Sequence, residues 1–195
     1  LDLNLAVNLS PSILQSFEWA DILARSTASH GFPVECLTLE RTENHIEANP
    51  GLMHNAARFR IKGFKLSVDD FGTGDSGLAR LRALPFTELK IDRSFIAGAA
   101  AQSDLRSMVA SCSELAHRLN MEVVAEGVET LGQWTMLKEH GCDVIDVSTG
   151  GNVLESKPEW GRMFQVPYSE AVRFGAGIPT MAVGSILSPD HVNSV

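Results

Sequence analysis

Short apolar segments recur along the chain, and amphipathic stretches of helical length separate them. The segments lack clean two-residue alternation, which is typical of parallel strands that are buried on both faces. The sequence therefore predicts a repeated β/α arrangement. The predicted strands are Leu3–Asn8, Cys36–Glu40, Lys65–Asp69, Glu88–Asp92, Glu122–Ala125, Asp143–Val147 and Ile178–Val183. The predicted helices are Pro11–His30, Pro50–Lys62, Gly77–Ala83, Ser103–Leu119, Leu131–His140 and Pro158–Phe174, with a further helix start at Ser188-Pro189.

Polar residues stand at or near the carboxyl ends of five different predicted strands. A barrel brings such strand ends together on one rim, whereas an open sheet would leave distant strands apart. The sequence therefore favours an α/β fold of the TIM-type (β/α) barrel, incomplete, with about seven β/α units. A homodimer partner or an unusual eighth element could close the barrel, or the barrel could keep an open edge. These five residues are Asn8, Glu40, Asp69, Lys90 and Glu126.

Local signals mark several helix ends. Ser10-Pro11 is typical of an N-cap followed by proline at the first helical position. Gly31 and Gly141 each follow a helical stretch, where glycine favours a left-handed stop. We therefore expect the first helix to begin at Pro11, and we expect two helices to end at Gly31 and Gly141.

Composition and charge narrow the function classes. The chain has 195 residues, of which 44% are hydrophobic and 21% are charged, as in an ordinary globular domain. A net charge of −8 argues against DNA, RNA or an anionic membrane as a partner. No apolar run approaches the roughly 20 residues of a membrane span. The three cysteines are widely spaced, which favours buried thiols in a reducing compartment and predicts a cytoplasmic protein or an excised piece of one.

The adjacent carboxylates of Asp69 and Asp70 end an apolar run, where their mutual repulsion is costly. A cation between them would remove that cost, although a turn in which one Asp caps the next helix is an alternative. The pattern Gly72-x-Gly74-x-x-Gly77 also follows a strand and matches a dinucleotide-binding loop. Two carboxylates beside the loop, and Asp75 within it, would repel a pyrophosphate. The pair therefore favours a metal site.

Two further strand-end residues have two readings each. Lys90 lies among apolar residues, so it either reaches the barrel rim or holds a water or phosphate oxygen beside the acids. Glu126 is either a helix-start acid or a ligand, and Glu129 could fill the first role equally well.

The remaining candidates are weaker when each is considered alone. Glu40 and Glu43 flank Arg41-Thr42 and could form a solvated strand end with an internal ion pair. Asn8 before Ser-Pro is common turn chemistry. Together, however, these oxygen donors suit hard cations such as Mg²⁺ or Mn²⁺, and two such ions can promote in-line phosphodiester hydrolysis. The six histidines show no zinc-enzyme spacing.

Five motifs, in series, resemble those of EAL domains, the bacterial phosphodiesterases that linearise cyclic di-GMP on a barrel fold. The resemblance covers residues 1 to about 143 in the order and spacing of that family. The motifs are Val7-Asn8-Leu9-Ser10-Pro11, Leu39-Glu40-Arg41-Thr42-Glu43, Val68-Asp69-Asp70-Phe71-Gly72-Thr73-Gly74, Leu89-Lys90-Ile91-Asp92-Arg93-Ser94-Phe95 and Val123-Val124-Ala125-Glu126-Gly127-Val128-Glu129-Thr130.

The resemblance implies metal ligands. Asn8, Glu40 and Asp69 would bind one Mg²⁺ or Mn²⁺ ion, and Asp70 would serve a second. The substrate would be cyclic di-GMP, and the product would be linear pGpG.

The resemblance also implies roles for three other residues. Lys90 would orient the attacking water, and Glu126 would support the metal site or act in proton transfer. Glu43 would anchor the loop from Asp70 through Ser76, which couples substrate binding to metal binding.

Several positions depart from the family pattern. The first-strand motif that names the family, with its metal-binding Glu, is absent from these 195 residues. Arg41 replaces the usual Ile, Asp75-Ser76-Gly77 replaces Tyr-Ser-Ser, and Asp146 replaces the late Gln. We therefore expect impaired hydrolysis. The alternatives are a catalytically degenerate module that binds cyclic di-GMP or a protein, and a chimeric or engineered barrel without enzymatic function.

The segment 144–195 resembles the late β/α units of Old Yellow Enzyme-type flavin oxidoreductases. The similarity lies in Val144–Asn152, Gln165–Tyr168 and Gly177–Gly184. We therefore predict a barrel portion at 1–143 that is completed by 144–195 within one structural domain, in the manner of a chimera. The early strands that would hold the flavin ring are missing from these residues, and so is the strand whose Gly-Arg pair would bind the FMN phosphate. Their absence argues against FMN as a cofactor.

Overall fold

The computed structural model describes residues 4–43, 50–73, 78–99, 101–147, 163 and 165–182. Strands and helices alternate along these residues, in agreement with the predicted α/β class. The strands are β1 Leu5–Asn8, β2 Leu37–Thr42, β3 Lys65–Phe71, β4 Glu88–Ile91, β5 Glu122–Glu126, β6 Val144–Val147 and β7 Thr180–Ala182. The helices are α1 Pro11–Gln15, α2 Trp19–Ser29, α3 Pro50–Ile61, α4 Leu78–Ala83, α5 Arg93–Ala99, α6 Ser103–Arg118, α7 Leu131–Glu139 and α8 Val166–Ala176, with a 3₁₀ turn at Val34–Cys36.

The chain divides into two compact units. The first contains residues 1–90 and 116–121, and the second contains 91–115 and 122–195. None of the helices in the described ranges is long and apolar enough to cross a membrane.

In the first unit, β1, β2 and β3 are parallel neighbours. Their side chains alternate between an apolar face and a polar face, so the expectation that these strands lack two-residue alternation is wrong. The apolar face packs on helices α1 and α3, where Leu39 and Leu66 line a small cavity together with Leu52 and Ala56 of α3. The opposite face carries polar side chains from three strands. Those residues, on β2, β3 and β4, are Glu40, Ser67, Asp69 and Lys90.

In the second unit, β5, β6 and β7 are also parallel neighbours. Ile145, Val147 and Ile178 form a buried cluster, against which the half-buried Trp134 of α7 packs. The register aligns Glu126 with Asp146. The carboxyl ends of β5 and β6 therefore place two acidic residues side by side.

The predicted single helix over Pro11–His30 is wrong, because the chain forms α1 and α2 with an extended residue, Ser16, after α1. In a continuous helix, the Leu14 carbonyl would accept from the backbone N–H four residues later. Here it accepts from the Asn55 side chain of α3, at 2.7 Å. The tertiary hydrogen bond thus replaces the helical one.

The glycine stops are confirmed. Gly31 has φ 66° and Gly141 has φ 79°. After each of them the next N–H bonds back over the last turn, from Phe32 to Thr27 and from Cys142 to Leu137, each at 3.0 Å. This is the six-to-one bond of a Schellman motif.

Helix α5 is absent from the predicted elements, and helix α8 differs from its prediction. Within the described residues, α8 begins at Val166 rather than Pro158 and ends at Ala176 rather than Phe174. The predicted helix start at Ser188-Pro189 lies outside the described residues. All seven predicted strands are present, with ends shifted by at most two residues.

Candidate active site

The first unit buries a lysine between two carboxylates. The Lys90 Nζ lies 3.2 Å from an oxygen of Glu40 and 3.5 Å from an oxygen of Asp69. The side chains of Lys90 and Glu40 are only 4% and 7% exposed, and that of Asp69 is 14% exposed. The reading of Lys90 as a lysine that reaches solvent is therefore wrong. A buried ammonium between two acids is held by charge pairing.

The environment raises the pKa of the Glu40 carboxyl above its ordinary value of 4.5. Burial is the largest cause, because it disfavours the charged form. The neighbouring Lys90 lowers the pKa, whereas the charges of Asp69 and Glu88 raise it further. Among these described residues, the three acids Glu40, Asp69 and Glu88 outnumber the single lysine, Lys90. An added cation would offset the excess negative charge.

This shift predicts a pH dependence of stability. A carboxyl whose folded pKa is raised binds its proton more tightly in the folded state, so its contribution to stability declines as pH rises from about 4.5 through the folded pKa. We expect the free energy of unfolding, measured without divalent metal, to decline with pH in this window. Glu40→Gln should flatten the decline. An equally steep decline in the variant would contradict the assignment to Glu40.

The Asp69-Asp70 pair adopts an unusual backbone. Asp70 has φ 54°, in the left-handed region that disfavours most side chains. Its N–H donates to the Asp69 Oδ1 at 3.0 Å, and its carbonyl accepts from the Thr73 hydroxyl at 2.9 Å. These bonds hold the strained turn, and they leave oxygens of the two carboxylates within 4.8 Å of one another. Two anionic oxygens at this separation suit a hard divalent cation.

Glu43 is buried just after β2. Its Oε2 accepts from the Gly72 N–H at 2.7 Å, and Gly72 has φ 99°. A side chain at position 72 would strain this backbone, because L-residues avoid such a φ. Glu43 therefore holds the start of the loop that follows β3, whereas residues 74–77 lie outside the described residues.

The interpretation of Glu40 and Glu43 as a solvated strand end is wrong, since both residues are at most 5% exposed. Arg41 points the other way, into the apolar face, where it lines the cavity beside Leu39 and Leu66. Burial there lowers the pKa of the guanidinium. The strand alternation thus separates Arg41 from Glu40.

The other two predicted site residues are less buried. Asn8 is exposed at the end of β1 and aligns with Glu40 in the register. Glu126 is half-buried at the end of β5 in the second unit. In the first unit, the strand ends therefore carry Asn8, Glu40, Asp69 and Lys90 in order.

Sequence reasoning missed Glu88 as a component of this site. It lies two residues before Lys90 on β4, is buried, and acts electrostatically on Glu40. The signal was available, because residues two apart on a strand share a face. A polar residue two positions before a buried lysine is therefore a candidate for the same site.

A family model and several known proteins match the sequence of this chain. The EAL domain model matches residues 1–146. The cyclic di-GMP phosphodiesterase RocR of Pseudomonas aeruginosa is 35% identical over 143 residues, which cover 73% of this chain and 36% of RocR. The chain thus spans about a third of that relative, and as little as 18% of other relatives.

Solved structures extend the likeness to the fold. The PaMucR phosphodiesterase in complex with c-di-GMP matches with a TM-score of 0.66 and 37% identity, over 72% of this chain and 57% of that one. The Klebsiella pneumoniae BlrP1 complex with manganese and cyclic di-GMP matches with a TM-score of 0.67 and 30% identity, over 71% of this chain and 36% of that one. The predicted α/β, TIM-type fold is thereby confirmed.

Proposed function

This chain belongs to the EAL domain family, and on that premise we propose that it carries a site for divalent-metal-dependent hydrolysis of cyclic di-GMP to linear pGpG. The buried Lys90 between Glu40 and Asp69 is the observation that carries the proposal. An ammonium held there donates hydrogen bonds at a fixed point beside two acids. The similarity to the cyclic di-GMP phosphodiesterase RocR supports the proposed substrate. The similarity to BlrP1, whose structure contains manganese and cyclic di-GMP, supports both the substrate and a divalent metal.

We propose that Asn8, Glu40 and Asp69 hold one Mg²⁺ or Mn²⁺ ion, and that Asp70 serves a second. When bound, the metal supplies charge stabilisation at the phosphodiester and lowers the pKa of water. The carboxylate oxygens of Asp69 and Asp70 suit such a cation, because they lie within 4.8 Å of one another.

Lys90 would donate a hydrogen bond to the attacking water and fix its direction towards phosphorus. Glu126, at the end of β5, would support the metal or accept a proton during the reaction. Glu43, through its bond to Gly72, would anchor the loop that begins at Asp70 and couple it to substrate binding.

Asp146 is the reason to propose impaired rather than full hydrolysis. It is buried at the end of β6, aligned with Glu126, where the family pattern has Gln. An amide can donate to a phosphate oxygen or a water, whereas a carboxylate only accepts and repels anions. The same departure favours the second candidate function, a module that binds cyclic di-GMP without hydrolysing it.

The test is pGpG formation by the purified 195-residue chain with Mg²⁺ or Mn²⁺, with a chelator as the control. We expect slow, metal-dependent turnover and a gain of at least about tenfold in Asp146→Gln, since one recovered hydrogen bond to a charged group stabilises by about 1.5–3 kcal/mol. Turnover of the wild-type chain that the chelator leaves unchanged would contradict the proposal. Binding of cyclic di-GMP with no pGpG, in both proteins, would establish the second candidate.

Further predictions concern the location of the protein, its assembly and the segment 144–195. We propose a cytoplasmic location, which the three free cysteines favour. Homodimer formation stays a prediction, which sedimentation of the purified chain would test. The family match ends at residue 146, and the flavin-enzyme resemblance and chimeric origin of 144–195 also stay predictions.

A further inference from the structure

We infer that Gln133 clamps the loop that follows Glu126 to helix α5 and is thereby a positioning residue for Glu126. The functional part of this inference rests on the proposed hydrolysis. All of the residues involved lie in the second unit. The loop covers 127–130 and joins the carboxyl end of β5 to helix α7.

Gln133 is 5% exposed and uses both ends of its side-chain amide. Its oxygen accepts from the Glu129 N–H at 2.8 Å and the Thr130 N–H at 2.9 Å. Its nitrogen donates to the Ile96 carbonyl at 3.3 Å and the Ala97 carbonyl at 3.4 Å. One buried side chain therefore joins the loop to the last turn of α5.

The nitrogen contacts exceed what helix capping requires. Thr130 and Gln133 form a capping box at the start of α7, in which the Gln133 N–H donates to the Thr130 hydroxyl at 3.2 Å. Glutamate serves equally well at the Gln133 position of such a box. Only the amide nitrogen, which glutamate lacks, reaches the carbonyls of Ile96 and Ala97.

A second contact fixes the other end of the loop. Gly127, directly after Glu126, has φ 66°, and a Cβ there would overlap the Arg93 Cβ and lie 3.3 Å from the Arg93 Cα. Arg93 is the first residue of α5. The loop thus rests on the first turn of α5 at Gly127 and on its last turn through Gln133. With both ends of the loop held on one helix, the backbone directly after Glu126 is fixed relative to α5.

The inference is tested by comparing Gln133→Glu with Thr130→Ala in the full chain. The first variant keeps the loop acceptor and the capping pattern but removes the donors to α5. The second variant removes the cap hydroxyl but keeps the donors. Since Gln133→Glu also buries a charge, Gln133→Met serves as an uncharged variant that lacks the same donors, although it lacks the loop acceptor as well. The readouts are amide hydrogen exchange at residues 127–130, kcat and KM for cyclic di-GMP, and melting temperature.

We expect Gln133→Glu and Gln133→Met to accelerate exchange in the loop and to lower kcat about tenfold, with KM nearly unchanged. Thr130→Ala should lower the melting temperature without either effect. If exchange and kcat in the Gln133 variants merely match those in Thr130→Ala, the clamp is refuted. If the wild-type chain shows no turnover, the proposed hydrolysis fails by itself, and the exchange comparison still decides whether Gln133 holds the loop.

Discussion

Asp69→Asn is expected to reduce metal-dependent hydrolysis of cyclic di-GMP on the order of a thousandfold, which corresponds to about 4 kcal/mol of transition-state stabilisation. The change removes one negative charge from a pair whose oxygens lie within 4.8 Å and removes an acid that faces Lys90. The amide oxygen of Asn can still accept the Asp70 N–H, so the strained turn should survive. The loss should therefore appear in metal affinity and turnover rather than in folding.

A matched control is Asp143→Asn. The Asp143 side chain accepts from the Val123 N–H at 2.8 Å, next to the amino end of β6 and away from the strand ends proposed to act. This variant should hydrolyse at nearly the wild-type rate. Steady-state rates at saturating Mn²⁺, with Mn²⁺ affinity measured by calorimetry, distinguish the two variants. Retention of a tenth or more of the wild-type rate by Asp69→Asn would show that Asp69 holds no essential metal.

The strand ends could be predicted from the sequence, because each buried strand is short, apolar and closed by a polar residue. That pattern located Glu40, Asp69 and Lys90 on separate strands, and it is local. The pairing of Lys90 with both acids could not be predicted, because it depends on the register between strands. By contrast, the side on which Arg41 lies is a local property, because the alternation of β2 alone places it opposite Glu40.

Elements that depend on tertiary contacts were missed. The break between α1 and α2 follows from the Asn55 hydrogen bond to Leu14, which joins positions 41 residues apart. Helix α5 has seven residues and includes Gly98, so its periodicity is too short to recognise. By contrast, the Thr130-x-x-Gln133 capping box is a local signal that could have been recognised.

Lys90→Met is expected to destabilise the metal-free chain by about 3–5 kcal/mol, because removing one partner of a buried charge cluster leaves the others uncompensated. Glu40 and Asp69 would then face each other without the ammonium that now lies 3.2 and 3.5 Å from their oxygens. Lower pH should recover part of the loss, since a proton on Glu40 removes one of the two charges. Chemical denaturation at several pH values measures both effects.

The effect of divalent metal on the stability of Lys90→Met tests where the cation binds. If the cation binds at Glu40 and Asp69, it replaces the missing positive charge, so Mn²⁺ should raise the melting temperature of Lys90→Met more than that of the wild-type chain. Hydrolysis should nevertheless stay low, because the metal does not replace the hydrogen bond that Lys90 would give to the attacking water. Lys62→Met is the control, since Lys62 pairs with Asp21 at the exposed surface, where ion pairs contribute little. Equal Mn²⁺ stabilisation of Lys90→Met and wild type would place the metal elsewhere, and full hydrolysis by Lys90→Met would remove this lysine from the reaction.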